Sequence, residues 1–175
     1  AEDIIKVIAN LTNFFRIGIS KGAELIPVNT EIDHVRSYLT IQKYRYEDIL
    51  DFQINMSNEV TCMMVQKLIL QPIVENSIYH GIKGKRTGGK IIISTGISAG
   101  NLTFTIEDDG VGISPERLEK INEELRSDNS LHIGYGLFNV NERIRLSYGK
   151  DYGVFIESTQ GVKTIVTIIH PIIRE

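Results

Sequence analysis

Cysteine is almost missing from this chain: Cys62 is the one thiol in 175 residues, so no internal disulfide and no cysteine-rich metal site can form. That scarcity is compatible with a reducing compartment. No apolar run approaches the roughly 20 residues that a bilayer-spanning helix requires. The opening residues, Ala1-Glu2-Asp3, lack the basic stretch that begins a secretory leader. A positive surplus is absent too. The formal net charge is −3 and the pI about 5.9, which argues against bulk attraction to nucleic acid or anionic lipid. Lys83, Lys85 and Arg86 make one small basic cluster, of the size that is ordinarily just solvated. There is no internal repeat and no low-complexity tract.

What is present has a globular balance, 42% hydrophobic and 23% charged, with enough apolar mass for a core. Ile4, Ile8, Leu11 and Phe15 recur at helical spacing, and Lys21-Gly22 ends that stripe. The chain opens inside this helical pattern, as a segment of something longer would. A second helix is predicted from about Thr30, with Asp33 completing a capping box and Ile32, Val35 and Leu39 forming its apolar side. Residues 50–56 alternate apolar and polar, the mark of a half-buried strand. A third helix is predicted over residues 65–82. Strands follow at 91–93 and 102–106, joined by a turn at Ala99-Gly100-Asn101. Pro115 opens a short helix, residues 127–130 break it, and another helix runs over 137–148 with Gly149 behind it. The last strands fall at 154–156 and 164–169.

Hairpin-joined strands with intervening helices read as an α+β fold: a two-layer α/β sandwich with a mixed, largely antiparallel sheet, preceded by two helices. The periodicity changes between Tyr46 and Leu50, which divides the chain into a helical part, residues 1–48, and a sandwich, residues 49–175.

Three motifs carry candidate chemistry. On the third helix, Asn76, His80 and Lys83 recur at i, i+4 and i+7 and would share its polar side. An amide oxygen suits magnesium, and the histidine and lysine can donate to phosphate oxygens. Next, Asp108-Asp109-Gly110-Val111-Gly112 follows an apolar strand. A carboxylate there can accept from an exocyclic amine, and the glycines admit close backbone approach. Finally, Gly134-Tyr135-Gly136-Leu137 leads into a helix N-terminus, which offers free N–H groups to phosphate. Each has a plainer reading: a solvated helix face, an ordinary Asp-Gly turn, a common glycine loop with Tyr135 as a packing plug. Neither the P-loop pattern nor the dinucleotide fingerprint is present. Their order and spacing together shift the balance.

That arrangement, over residues 65–171, resembles the Bergerat-fold (GHKL) ATP-binding domain shared by gyrase, the Hsp90 chaperones, MutL and the histidine kinases. The resemblance implies that Asn76 holds Mg2+, Asp108 contacts adenine, Gly110 and Gly112 line the base pocket, and Gly134 and Gly136 flank the phosphates. His80, Lys83, Tyr135, Leu137 and Thr164 complete the nucleotide-contacting set, with residues 113–133 as a mobile lid. Hydrolytic members carry a glutamate one turn before the asparagine. Here that place is Pro72, which cannot act as a base, and Glu75 points about 100° away around the helix.

The words Leu70-Gln71-Pro72-Ile73-Val74-Glu75-Asn76, Gly136-Leu137-Phe138-Asn139-Val140-Asn141-Glu142-Arg143 and Tyr38-Leu39-Thr40-Ile41-Gln42-Lys43-Tyr44-Arg45 are similar to the LytS/YesM group of sensor histidine kinases. By that likeness the chain is the ATP-binding catalytic portion of a bacterial two-component kinase. ATP and Mg2+ would be its ligands, and a cognate response regulator and a homodimer of the full-length protein its partners. No nucleic acid is implied, and membrane contact only through segments outside this stretch, which would lie on the cytoplasmic side of the inner membrane. None of His34, His80, His132 or His170 has the Asn-Pro-His-Phe context of the family's phosphoacceptor, so the acceptor is expected upstream of Ala1 and no catalytic residue is assigned here. A second departure is Gly161-Val162-Lys163-Thr164, where the group often has Gly-x-Gly-Thr. Two other readings stay open: a GHKL-type ATPase in which hydrolysis drives closure, and a degenerate module that serves dimer contacts alone.

Overall fold

A computed structural model describes residues 8–12, 14–15, 24–46, 49–85, 87–127 and 136–174. In chain order the elements are β1 (Leu25–Pro27), α1 (Val28–Arg45), β2 (Leu50–Asn55), β3 (Met64–Gln66) and α2 (Gln71–Asn76), which winds on as a π-helix over Ser77–Ile82. There follow β4 (Gly89–Ser98), β5 (Asn101–Asp108), α3 (Pro115–Arg126), α4 (Gly136–Tyr148), β6 (Gly153–Thr159) and β7 (Lys163–His170). Residues 8–12 and 14–15 are helical as well.

The alternating segments make one five-stranded sheet in the order β2-β4-β5-β7-β6. The β2–β4 pair is parallel and the other three pairs are antiparallel. Because side chains alternate across a strand, Ile91, Ile93, Leu102, Phe104, Ile106, Val166 and Ile168 all fall on the buried side. The β4–β5 hairpin turns through Ala99 (φ 49°) and Gly100 (φ 77°), both left-handed, the twist that a two-residue hairpin favours. Val28, Ile32, Val35 and Leu39 of α1 join the same core as the sheet. The expected α+β architecture and mixed, mostly antiparallel sheet are therefore present.

Two local expectations are overturned. The helix predicted over 65–82 begins only at Gln71, because Val65 is taken up in a strand paired with Ile26 and Leu68 adopts a left-handed φ of 59°. Tertiary pairing there overrides helical spacing. Secondly, α1 begins at Val28 and Thr30 forms no capping box. The free N–H groups of Val28 and Asn29 donate instead to the carbonyls of Met63 (2.8 Å) and Thr61 (3.1 Å).

The segment expected as a lid, 113–133, contains the short helix expected to open at Pro115. Residues 115–126 form α3, and the helix is pinned. Leu125 is buried, Asn122 Nδ2 donates to the Ile156 carbonyl at 3.3 Å, and Arg145 Nη1 donates to the Leu125 carbonyl at 2.6 Å. Residues 128–133 lie outside the described residues.

Asn141 ties this half together. Its Nδ2 donates to the Leu125 carbonyl and its Oδ1 accepts from the Val154 N–H, both at 2.9 Å, so one buried amide joins α4 to α3 and β6. In Asn141→Ala, Arg145 still satisfies Leu125 while the Val154 N–H is left unpaired. The expected cost is about 1–3 kcal/mol in urea denaturation; a loss under about 0.5 kcal/mol would contradict this account.

Candidate functional site

One cavity of about 610 Å³ opens between α2, the turn after β5, α3, α4 and the inner face of the sheet. That volume suits a small organic ligand. Its apolar surface comes from residues including Ile73, Ile113, Leu137, Ile156 and Val166, and its polar groups are gathered on a few elements.

The wall from α2 carries Asn76, Ser77 and His80. Past Asn76 the helix loosens, and the Lys83 N–H reaches back five residues to the Ile78 carbonyl at 3.0 Å. Such π turns recur at functional sites. The extra residue per turn changes the phase on which Lys83 was expected to join Asn76 and His80. Lys83 is not on the cavity wall; its ammonium stands over the rings of Tyr79 (4.2 Å) and Tyr46 (4.7 Å), a cation–π clamp on the surface.

Asp108 ends β5 on the cavity wall and is only 2% exposed. Its Oδ1 accepts from the Gly110 N–H at 3.1 Å, and the Ser77 hydroxyl donates to the same carboxylate. Burial pushes its carboxyl above the ordinary range, Ser77 and Gly110 pull it back, and the charges of Asp109 and Glu107 push it up again. Space around it is tight. A Cβ on Gly81 would stand 2.5 Å from Asp108 Oδ1, and one on Gly110 would run into the Gly81 backbone. These two glycines let α2 and the β5 turn touch, and the Val111 N–H donates to the Gly81 carbonyl at 3.2 Å across the contact. Gly110 thus acts behind the wall, whereas Gly112, at φ 66°, lines the cavity itself.

Across the sheet from Asp108 stands Thr164, its register partner on β7. Thr164 also lines the cavity, and its hydroxyl lies 2.9 Å from Ser158 Oγ, which accepts from the Ile113 N–H at 2.9 Å. Leu137 is on the wall, but Gly136 packs behind it against Pro72. Gly134 and Tyr135 lie outside the described residues. Of the expected set, then, Asn76, His80, Asp108, Gly112, Leu137 and Thr164 come together around one space.

Sequence reasoning missed two groups. Ser77 was hidden because its partner is the distant Asp108. On α3, Arg117, Lys120, Ile121 and Glu124 follow the i, i+3, i+4, i+7 rule and turn one face to the cavity. That periodicity was available, but the segment was read as lid. Among the described residues no group of three His, Cys, Asp or Glu could hold a metal ion.

The placement of α2 depends on a residue far from it in sequence. Glu31 of α1 is fully buried and receives the N–H groups of Leu68 on Oε2 (2.9 Å) and of Ile69 and Leu70 on Oε1 (2.9 and 3.0 Å). Leu70 is the N-cap of α2 and Leu68 and Ile69 form the turn before it, so the carboxylate pairs the segment that leads into the helix and complements the positive end of its dipole. Burial pushes the Glu31 carboxyl up, opposed by these N–H bonds and by His34. Arg143 closes the turn, its Nη2 donating to the Lys67 carbonyl at 2.7 Å.

The raised carboxyl of Asp108 sets a sign. Its folded pKa lies above the unfolded value, so its share of stability is complete below the unfolded pKa and is lost as pH rises through the folded one. A carbon-detected NMR titration should place its midpoint above the normal aspartate range, and Ser77→Ala, which removes a bond to the charged form, should raise it further. A midpoint at or below the usual aspartate value, or a downward move in Ser77→Ala, would contradict this.

Known proteins bear on the site. Residues 66–174 match the family described as histidine kinase-, DNA gyrase B- and HSP90-like ATPase, and residues 1–50 match a family described as histidine kinase. The chain is 31% identical over 169 residues to sensor histidine kinase YesM of Bacillus subtilis (strain 168), covering 95% of this chain and 28% of that protein. It is 31% identical over 146 residues to sensor histidine kinase YpdA of Escherichia coli (strain K12), covering 83% of this chain and 25% of that protein. The chain spans only about a quarter of the length of these relatives. The histidine kinase domain of the Erythrobacter litoralis EL346 blue-light activated histidine kinase superposes with a TM-score of 0.58 at 18% identity, covering 97% of this chain and 75% of that one. Mycobacterial sensor histidine kinase MprB gives 0.57 at 20%, covering 88% and 100%. At such identities these structures speak for the fold. With the family match extending over more than half of its residues, the chain belongs to the histidine kinase-, DNA gyrase B- and HSP90-like ATPase family.

Proposed function

We propose that this chain is the ATP-binding catalytic portion of a two-component sensor histidine kinase, delivering the γ-phosphoryl group to a histidine outside these 175 residues. The observation that carries the reading is the division of one cavity into a buried carboxylate, Asp108, in an apolar surround and a polar wall of Asn76 and His80. Asp108 accepts a hydrogen bond from the adenine amine, with Ile73, Ile113 and Val166 against the base. His80 donates to phosphate oxygens, and Arg117 and Lys120 supply the positive charge that the displaced Lys83 does not. The Asn76 amide fits magnesium carried on the phosphates, a hard ion that keeps several waters; the ion neutralises phosphate charge.

The reaction is an in-line attack of an imidazole nitrogen on the γ-phosphorus, with cleavage of the bond to the bridging oxygen and release of ADP. This chain's share is positioning and charge neutralisation. His34 and His170 are buried, so neither is offered to a γ-phosphate. Pro72 stands where a hydrolytic relative has its glutamate, which disfavours a water-splitting cycle. On this reading residues 1–48 end the helical phosphotransfer and dimerisation region, and residues 49–175 are the catalytic domain. Partners are a response regulator and a second copy of the full-length protein. On this reading the chain works in the cytoplasm, with membrane contact only through segments outside it; no helix among the described residues is long and apolar enough to cross a membrane.

Calorimetric titration tests the charge assignment. The double change Arg117→Ala, Lys120→Ala should weaken Mg·ATP about tenfold or more, since each lost phosphate contact of this kind removes on the order of 1 kcal/mol, and leave adenosine unaffected. Equal affinity for ATP in both proteins would reject it. In a longer protein that includes the acceptor helix, Asn76→Asp should abolish transfer from γ-labelled ATP, while the 175 residues alone should take up no label. Unchanged transfer in Asn76→Asp would remove that residue from the mechanism, and label on the isolated chain would reject an outside acceptor.

A further inference from the structure

Two side chains of α1 reach the start of α2 without entering the cavity. Glu31 holds the N–H groups of Leu68, Ile69 and Leu70. One turn on, His34 Nε2 lies 2.8 Å from Gln71 Oε1, and Gln71 Nε2 donates at 2.8 Å to Glu75 Oε1, the residue just before Asn76. The other face of the imidazole is covered: the ring of Phe14, from the N-terminal helical residues, stacks on His34 at 4.6 Å and 13°. His34 is buried with Nδ1 unpaired, a cost accepted at a place where the ring is held from both sides. None of Glu31, His34, Gln71 or Glu75 lines the cavity.

The opposite wall is held by different means. The backbone of Asp108 is fixed by the β4–β5 and β5–β7 ladders, and its carboxylate by the Gly110 N–H and by Ser77 of the π-helical end of α2; among the described residues no hydrogen bond joins it to α1. The start of α2 and the backbone of Asp108 therefore have separate anchors, and the two walls meet where Ser77 and Gly81 touch the β5 turn. One anchor belongs to the sheet. The other passes through α1, which lies in the part of the chain that matches the second family, residues 1–50.

We propose that Glu31 and His34 are positioning residues for Asn76, so that the placement of α1 sets the phosphate end of the cavity while the adenine end stays with the sheet. The inference rests on the nucleotide reading given above. A carboxylate that grips three successive N–H groups with both oxygens moves the turn leading into α2 as a body, and the His34–Gln71–Glu75 chain fixes the rotation of the helix. A shift of α1, transmitted through Phe14 or through α1 itself, would then alter the grip on Mg·ATP without altering the grip on the base.

The test separates the two ends. Glu31→Gln keeps the shape but turns one acceptor into an NH2 group facing N–H donors. His34→Ala removes the contact with Gln71, and His34→Gln restores an amide at the reach of Nε2. Each protein, shown folded by circular dichroism, is titrated calorimetrically with adenosine and with Mg·ATP. The expected result is adenosine affinity within twofold of the unmutated chain, Mg·ATP weakened at least tenfold in Glu31→Gln and His34→Ala, and recovery to within threefold in His34→Gln. Unchanged Mg·ATP affinity in the folded variants overturns the proposal, as does an equal loss for both ligands, which would make the role merely structural. If Glu31→Gln does not fold, the two His34 variants decide by the same split. An unmutated chain that binds neither ligand would instead sink the nucleotide reading, and this proposal with it.

Discussion

A single buried carboxylate, accepting three backbone N–H groups, holds the site helix where it is. Glu31 is the residue on which the geometry depends. A buried charge without partners is very costly, yet here each oxygen is engaged by N–H groups of the turn that leads into α2 and of its N-cap, Leu70. Each side needs the other. Loss of the carboxylate would leave three N–H groups without acceptors beside a left-handed Leu68, and loss of the turn would leave a charge in the core.

The site itself is made by departures from regular structure. α2 is α-helical as far as Asn76 and π-helical beyond it, and its end comes against the β5 turn only because Gly81 and Gly110 have no side chains. That close approach seats Asp108 beside Ser77, in surroundings that disfavour its charge while two donors stabilise it. Regular elements supply rigidity: the antiparallel ladders fix Asp108 and Thr164 side by side, and the Asn141 amide holds α3, α4 and β6 as one unit.

Much of this was legible from residues. Alternation marked β2, short apolar stretches marked parts of the other strands of the main sheet, Ala99-Gly100 marked its hairpin, and the Asp108 to Gly112 motif marked a wall of the cavity. What escaped notice depended on contacts distant in sequence. Residues 64–66 have helical neighbours in sequence but pair with Leu25–Pro27 in space, so strand replaced helix. Thr30 and Asp33 spell a cap, yet the carbonyls of Thr61 and Met63 arrived first. Lys83 was aligned with Asn76 by counting at the α-helical period, and a π turn cancels that count. No local pattern announces that Glu31, some 40 residues upstream, completes the start of α2.

Occupancy of the cavity is the central claim, and a structure with a non-hydrolysable ATP analogue and magnesium tests it most directly. The account predicts the exocyclic amine of the base against the Asp108 carboxylate, the phosphates beside Asn76 and His80, and the metal ion within reach of the Asn76 amide. A cavity that stays empty at saturating analogue, or a base seated away from Asp108, would contradict it.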